Sequence, residues 1–221
     1  MKIEWEKIIK EKRLKNIQSV YDSIGSKWLH DKIIAESERT DIPIEKYYQE
    51  IRDLNLIVIS KFAKDPSKQN IHEQIAGDFI KKIDGVTEFK ILPKSGKYAK
   101  YLTSDGNVLE FQPAIKSLKT IDMQWKYNNC MFYASHKYTD QEGGAQDNQF
   151  EDIKKFLKSV QQRTDSNVFF IALTDGNYYQ TKSKNGISRL ELLNTAYKGF
   201  VSVATPTDEL ADIMKELCDK S

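Results

Sequence analysis

The amino-terminal part of the chain has the hydrophobic periodicity of helices. Apolar residues of the first predicted helix recur roughly at helical spacing: Trp5, Ile8, Ile9, Ile17, Val20, Tyr21 and Ile24. A second helix follows, and Pro43 opens a third with Tyr47, Ile51 and Leu54 on one face. We expect residues 1–65 to form a helical region that binds DNA, mediates dimerisation or covers the rest of the protein.

The remaining chain alternates between helical and strand periodicity. Apolar residues spaced by four predict a helix that begins near Ile71 and stops near Gly85. The predicted strands are residues 86–92, 108–111, 120–127, 130–139, 168–173 and 200–204. Further helices are predicted over residues 147–161, 188–197 and 207–218. This order predicts an α/β domain over residues 66–221, with a central mixed β-sheet flanked by helices.

One β-hairpin is predicted in enough detail to fix its register. The two asparagines at 128–129 tolerate the positive φ angles of a two-residue turn. Counting outward from that turn places Gln124 opposite Tyr133 and Asp122 opposite Ser135. The register therefore assigns every side chain of the hairpin to one face of the sheet.

The two faces of this hairpin differ in chemistry. Asp122, Gln124, Ser135 and Lys137 share one face, whereas His136 lies with apolar residues on the other and is expected to be packed there. A carboxylate can hold Mg²⁺, and a neighbouring ammonium can stabilise negative charge on a phosphate. The pattern is therefore suited to phosphodiester hydrolysis, although an exposed cross-strand ion pair would produce it too.

Composition limits the alternatives only modestly. The 34 Lys and Arg residues nearly cancel the 32 Asp and Glu residues, and a net charge of +2 neither requires nor excludes a nucleic-acid partner. Cys130 and Cys218 fit neither a metal-binding spacing nor a disulfide framework, so we expect a cytoplasmic protein. The charged beginning lacks the pattern of a signal peptide, and the apolar runs are too short to cross a membrane.

Residues 70–175 resemble the PD-(D/E)XK nuclease superfamily, and within it the type II restriction endonucleases. Asp122 matches the first acidic position of the motif and Lys137 its terminal lysine. Lys-Tyr-Thr from Lys137, followed by the Gly-Gly-Ala-Gln-Asp-Asn-Gln segment at 143–149, is similar to a segment of restriction enzymes of this size. The resemblance implies a restriction-endonuclease-like core and a homodimer that uses Mg²⁺ to cut double-stranded DNA at a specific sequence.

The sequence departs from the motif of that superfamily at two positions. Ile121 precedes Asp122 where the motif has proline, which is a tolerable change. Ser135 stands where the second acidic residue is expected, and a single carboxylate binds Mg²⁺ poorly. The resemblance therefore requires a second acid from another element.

Three acids are candidates for this role. Glu73 lies on the helix before the sheet, where related nucleases often place a glutamate, and we favour it as the second metal ligand beside Asp122. A solvated charge on the helix face is the alternative interpretation of Glu73. Glu151 has the spacing seen in relatives with Ser-x-Lys, but the apolar face of its helix turns it outward. Asp152 is the next candidate on that helix.

Amides on the same helix are candidates for contact with the substrate. Gln146 and Gln149 face the sheet in a helical projection, so both are candidate contacts of the scissile phosphate or the attacking water, with Gln149 as the candidate catalytic residue. Gln146 and Asn148 are candidates for base contacts, since amides pair well with adenine in the major groove. Capping and packing of the helix start is the simpler interpretation of these residues.

A lysine-rich segment is a candidate for contact with the DNA backbone. Lys94, Lys97 and Lys100 lie in a stretch without acidic residues, interleaved with tyrosines. Lysines that follow phosphates supply most of the salt-sensitive affinity for DNA. A solvated hairpin tip would have the same composition.

Two other functions remain open at this stage. A repair or recombination nuclease with the same fold would recognise DNA structure rather than sequence. A DNA-binding protein with a decayed nuclease core would explain the missing acid at Ser135.

Overall fold

The computed structural model describes residues 2–66, 70–110, 119–140, 144–164, 167–182 and 186–219. The chain divides into two compact units, Glu4–Ile71 and a second unit formed by Met1–Ile3 with His72–Ser221. Among the described residues, no helix is both long enough and apolar enough to span a bilayer.

The helical unit contains four helices around one apolar core. They are α1 (Trp5–Asp22), α2 (Lys27–Thr40), α3 (Ile44–Arg52) and α4 (Leu56–Phe62). Their shared core consists of Val20, Leu29, Ile33, Tyr47, Ile51, Ile59 and Phe62. The predicted inward position of Leu54 is wrong: it lies beyond the end of α3 at a φ of 60° and is 58% exposed.

The second unit is an α/β domain. Its strands are β1 (Val86–Ile91), β2 (Tyr101–Leu102), β3 (Val108–Leu109), β4 (Lys119–Thr120), β5 (Met123–Tyr127), β6 (Cys130–Tyr138), β7 (Val168–Asp175) and β8 (Ser202–Thr205). Its helices are α5 (Ile71–Ile80), α6 (Gly144–Val160), α7 (Asn177–Gln180), α8 (Arg189–Tyr197) and α9 (Leu210–Cys218), with a 3₁₀ turn at Thr207–Glu209.

The main sheet mixes antiparallel and parallel pairing. Its five strands run in the order β1-β5-β6-β7-β8. The pairs β1–β5 and β5–β6 are antiparallel, whereas β6–β7 and β7–β8 are parallel. A second sheet has the order β3-β2-β4. The predicted fold class, a central mixed sheet flanked by helices and preceded by a helical region, is confirmed.

The predicted register of the β5–β6 hairpin is confirmed where the two strands pair. Gln124 lies opposite Tyr133 and Tyr127 opposite Cys130, so the turn falls at the two asparagines. Asn128 adopts a φ of 52°, a left-handed conformation that asparagine tolerates better than most residues. The local turn therefore sets which side chains share a face.

Helices pack on both faces of the main sheet. On one face, the Trp125 indole N–H donates to the sulfur of Met214 in α9 at 3.0 Å, and Phe132 stacks on Trp125. On the other face, Phe156 of α6 meets the ring of Phe170 edge-on. Aromatic packing therefore attaches a helix to each face of the sheet. The packed sheet holds its own side chains in fixed positions.

The predicted strand over residues 120–127 divides into two strands in the structure. Thr120 belongs to β4, where it pairs with Tyr101 of β2, and β5 begins only at Met123. The backbone of Asp122 nonetheless stays tied to the main sheet, since its N–H donates to the Ala134 carbonyl at 2.8 Å. Asp122 therefore stands where the chain passes from one sheet to the other.

Candidate active site

Asp122 is a buried carboxylate held from one side only. It is 6% exposed. Its Oδ2 accepts the backbone N–H of His136 at 2.8 Å and the Ser135 hydroxyl at 3.2 Å. Oδ1 accepts no hydrogen bond from any residue that the structure describes. One carboxylate oxygen is thus fixed by the sheet, and the other is left for a ligand.

Neighbouring groups shift the pKa of the Asp122 carboxyl in both directions. Burial raises the pKa of the Asp122 carboxyl above its usual range, because desolvation disfavours the charged form. The ammonium of Lys137 and the backbone N–H of His136 oppose that rise in pKa, whereas the negative charge of Glu73 adds to it. The fold therefore brings Asp122, Lys137 and Glu73 within electrostatic reach of one another.

Lys137 lies one residue beyond the donors that hold Asp122. It is half-buried, and it makes no hydrogen bond to a described residue, so its ammonium is available to a ligand. The Ser135 hydroxyl donates its hydrogen to Asp122. Ser135, which stands at the second acidic position of the motif, therefore orients the carboxylate at the first. The alternation predicted for this hairpin face places these three residues together.

The structure separates the three candidates for the second acid. The Glu73 side chain is 17% exposed, and its Oε1 lies 3.0 Å from the Lys94 ammonium. Glu151 is exposed and bonded to Lys154 at 2.7 Å. Asp152 forms an ion pair with Lys119. All three acids pair with a lysine, and Glu73 is the candidate whose charge acts on Asp122.

His136 occupies the apolar face, as its alternation predicts. Its Nε2 lies 3.0 Å from Oδ2 of Asp175, and both residues are at most 3% exposed. Asp175 also accepts the backbone N–H and the hydroxyl of Thr207. This buried pair fixes the segment of β6 between Ser135 and Lys137, because the His136 backbone and side chain are both anchored.

The predicted amide contacts lie at the start of α6. Gln149 accepts a hydrogen bond from the Thr139 hydroxyl at 2.8 Å, just beyond the end of β6. Gln146 is half-buried and Asn148 is exposed. The hydrogen bond of Gln149 attaches α6 to the end of β6, which is the packing role considered for these amides. The exposed Asn148 is accessible to a binding partner.

The three predicted DNA-binding lysines have different surroundings. Lys94 pairs with Glu73, and Lys100 pairs with Glu110 at 3.1 Å. The Lys97 ammonium lies 5.6 Å from the ring centre of its neighbour Tyr98. The exposed Lys94 and Lys97 can reach a polyanion from the surface, whereas only 17% of the Lys100 side chain is exposed.

The donor atoms at the site fit a hard divalent cation. No group of three or more potential metal-ligating His, Cys, Asp or Glu side chains occurs among the described residues. Mg²⁺ does not need such a group, since it commonly binds through one or two carboxylates together with waters and substrate phosphate. The unengaged Oδ1 of Asp122 and the nearby Glu73 carboxylate supply that number of oxygen ligands.

Sequence reasoning missed two contributors to this site. The backbone N–H of His136 holds Asp122, although the His136 side chain points to the other face. Gln124 is 6% exposed, and its buried Oε1 has no hydrogen-bond partner among the described residues. Alternation already placed Gln124 beside Asp122, but no local pattern reveals whether an amide will find a partner.

Comparison with protein-family models gives no match, and comparison with curated proteins gives none either. Among solved structures, the chain is similar to protein VC1899 from Vibrio cholerae, known from a crystal structure, with 11% sequence identity and a TM-score of 0.36. The similarity covers 95% of this chain and 51% of that protein, so this chain spans about half of its length. At this identity and TM-score the similarity carries no argument about fold or function.

Proposed function

We propose that this protein is a Mg²⁺-dependent endonuclease that hydrolyses phosphodiester bonds in double-stranded DNA at a specific sequence, as type II restriction enzymes do. The observation that carries the proposal is the buried Asp122, with one free carboxylate oxygen, within electrostatic reach of the Lys137 ammonium and the Glu73 carboxylate. A buried carboxyl with a shifted pKa near a lysine is typical of catalytic sites.

Asp122 and Glu73 would hold the metal through oxygen ligands. Bound there, Mg²⁺ supplies positive charge against the phosphate and lowers the pKa of a coordinated water. Ser135 and the His136 backbone orient Asp122 so that Oδ1 faces away from its hydrogen-bond donors. The metal needs Asp122 ionised, so metal and protons compete for this carboxyl, and the pKa raised by burial favours the proton.

Lys137 would act directly on the phosphate. Its ammonium makes no hydrogen bond to a described residue and lies close enough to Asp122 for their charges to interact. A preorganised cation at that position stabilises the negative charge that develops on the phosphate oxygens during hydrolysis.

The partner and the assembly follow from the same proposal. A two-fold symmetric DNA site is most simply cut by a two-fold symmetric protein, so we expect a homodimer. Exposed Lys94 and Lys97, with Asn148 on α6, are the proposed contacts to DNA. Both cysteines are free thiols, which suits a reducing cytoplasm.

A gel assay tests the proposal against its two alternatives. Plasmid and phage DNA are incubated with the full-length protein and Mg²⁺, with EDTA as the control. Discrete bands that require Mg²⁺ support a restriction enzyme. Nicking or degradation without pattern indicates a repair or recombination nuclease, and intact DNA with shifted mobility indicates a DNA-binding protein without catalytic activity.

A further inference from the structure

A cleft of about 420 Å³ is lined by Gln124 of β5 and by residues of β1 and the loop that follows it. Its polar lining includes Lys90, Lys97, Tyr98, Lys100, Glu110 and Gln124. Three lysines face one glutamate, so the lining favours an anionic ligand. The volume is within the range of pockets that bind small molecules, and is sufficient for one nucleotide.

The cleft lies next to the candidate active site. Gln124 lies two residues after Asp122, on the same face of the sheet. Lys90 of β1 and Tyr133 of β6 pair with Gln124 from the two neighbouring strands. Since a β-strand rises about 3.3 Å per residue, the row formed by Lys90, Gln124 and Tyr133 lies about 7 Å from Asp122. Such a separation is about one or two nucleotides along a DNA strand.

Gln124 gives the cleft a polar group that lacks a partner. The side chain is 6% exposed, and its Oε1 is buried without a hydrogen bond to any described residue. Burying an amide without a partner costs free energy that a donor from a ligand would restore. Rotation about the last side-chain bond turns either the oxygen or the NH₂ group toward the cleft, and every base edge offers a complementary donor or acceptor.

Tyr98 gives the cleft an exposed aromatic surface. Its side chain is 72% exposed although it is large and apolar, and the Lys97 ammonium lies 5.6 Å from its ring centre. Exposed aromatic rings beside cations are the groups on which unstacked bases of nucleic acids stack. The lysines of the lining are placed to contact the phosphates on either side of such a base.

We propose that this cleft binds one unstacked nucleobase of the DNA strand whose phosphate lies at Asp122, with Tyr98 stacking on the base and Gln124 bonding its edge. The inference rests on the proposed function for the identity of the ligand as DNA. A site for phosphate alone would require the lysines but neither the unpartnered amide nor the aromatic ring. The base leaves the stack on binding, as it does in enzymes that extrude a nucleotide.

The test compares two labelled chains with the same phosphates. Fluorescence anisotropy in EDTA measures the affinity of the full-length protein for a short thymidine oligonucleotide and for an abasic chain of equal length. The wild type should prefer the chain with bases by about fivefold or more. Equal affinity for the two chains would overturn the base-binding cleft.

Variants locate that preference on the protein. Gln124→Leu and Tyr98→Ala should each reduce the preference about threefold or more, while the affinity for the abasic chain stays within about twofold. Gln162→Leu, an exposed glutamine outside the cleft lining, is the matched control and should behave as wild type. The exposed Tyr98 can be replaced without disturbing the core, so its result decides the matter if Gln124→Leu fails to fold.

The same preparations separate this inference from the proposed function. If the wild type cuts plasmid with Mg²⁺ but Tyr98→Ala and Gln124→Leu retain the full base preference, the cleft assignment is wrong and the nuclease assignment stands. If plasmid stays intact while both variants lose the preference, the cleft binds a base and the nuclease assignment is wrong.

Discussion

Two buried aspartates, Asp122 and Asp175, are held by the same segment of β6 and have opposite surroundings. Asp175 accepts hydrogen bonds on both carboxylate oxygens, from the Thr207 backbone N–H and hydroxyl and from His136 Nε2. Asp122 accepts on Oδ2 alone, and burial raises the pKa of its carboxyl. His136 serves both residues, through its side chain for Asp175 and its backbone for Asp122.

The difference separates a carboxylate that is fully engaged in the fold from one that still has an oxygen available to a ligand. A carboxylate whose oxygens are all engaged stabilises the fold and has no capacity left for a ligand. A buried carboxylate with an unengaged oxygen destabilises the protein when ionised, and a bound cation removes that cost. We therefore expect Asp122 to matter for activity and Asp175 for stability.

The largest effect is expected from Asp122→Asn. The amide retains the shape of the side chain and can still accept from Ser135 and His136, but it loses the charge that would hold Mg²⁺. Metal catalysis contributes several kcal/mol, so plasmid cutting should fall roughly a thousandfold or more. Gel assays over a series of Mg²⁺ concentrations measure the rate of cutting. Asp84→Asn, a substitution of an exposed aspartate, is the control. Cutting at the wild-type rate would assign the metal to other residues.

Asp175→Ala should have the corresponding effect on stability. Removing one partner of a buried pair leaves His136 and the Thr207 donors unsatisfied, which costs about 3–5 kcal/mol in the free energy of unfolding. Urea denaturation measures the loss. If the variant is as stable as the wild type but fails to cut, the structural role assigned to Asp175 is wrong.

Lys137→Ala should reduce cutting about a hundredfold or more while leaving DNA binding nearly unchanged. The ammonium is proposed to act on charge that develops during hydrolysis, and removing one such donor typically costs that much. Rates on plasmid and anisotropy with a duplex separate the two effects. Lys126→Ala, which removes a partly exposed lysine paired with Glu88, is the matched control.

Glu73→Gln tests the source of the second acid. Loss of this carboxylate should raise the Mg²⁺ concentration for half-maximal cutting about tenfold or more, since metal affinity depends on the number of charged ligands. Glu151→Gln, which removes an exposed acid paired with Lys154, should leave that concentration unchanged. The reverse pattern would move the second acid to α6.

The smallest effect concerns the dependence of stability on pH. Burial raises the pKa of Asp122 in the folded state, so the folded protein holds this proton more tightly than the unfolded chain. The contribution of Asp122 to stability therefore falls as pH rises from the unfolded pKa of about 3.9 through the raised folded pKa. Asp122→Asn removes this loss, so the variant should be more stable than wild type at neutral pH.

Urea denaturation at neutral and acidic pH tests that expectation. The stability difference between Asp122→Asn and wild type should shrink as pH falls below the raised folded pKa and become smallest below the unfolded pKa of about 3.9. Asp84→Asn, at an exposed position, should show no such trend. A variant less stable than wild type at neutral pH would show that the charge of Asp122 stabilises the fold.

The hairpin was predictable because its determinants are local. The asparagine turn and the alternation of side chains fix the register of β5 and β6, and with it the face shared by Asp122 and Lys137. The ion pair between Lys94 and Glu73 joins elements distant in sequence, and no periodicity contains that information. The prediction for Leu54 failed because the helical face was extended past the true end of α3.

The surroundings of Asp122 and Asp175 also depend on contacts that local sequence patterns do not contain. The hydrogen-bond partners of Asp175, His136 and Thr207, lie 39 and 32 residues away from it in the sequence. Gly176 adopts a φ of 93°, and any Cβ there would collide with the Thr139 carbonyl. Hydrogen bonds between residues distant in sequence decide which buried acid has both oxygens engaged. The structural role of Asp175 could therefore not be predicted from residue spacing.

The most direct test of the central claim is to locate a bound metal. Crystals of the full-length protein are grown with duplex DNA and Mn²⁺, and the anomalous signal locates the metal. We predict a peak within bonding distance of Asp122 Oδ1 and the Glu73 carboxylate, and no peak at Asp175. A metal bound elsewhere, with Asp122 and Glu73 free of it, would contradict the account.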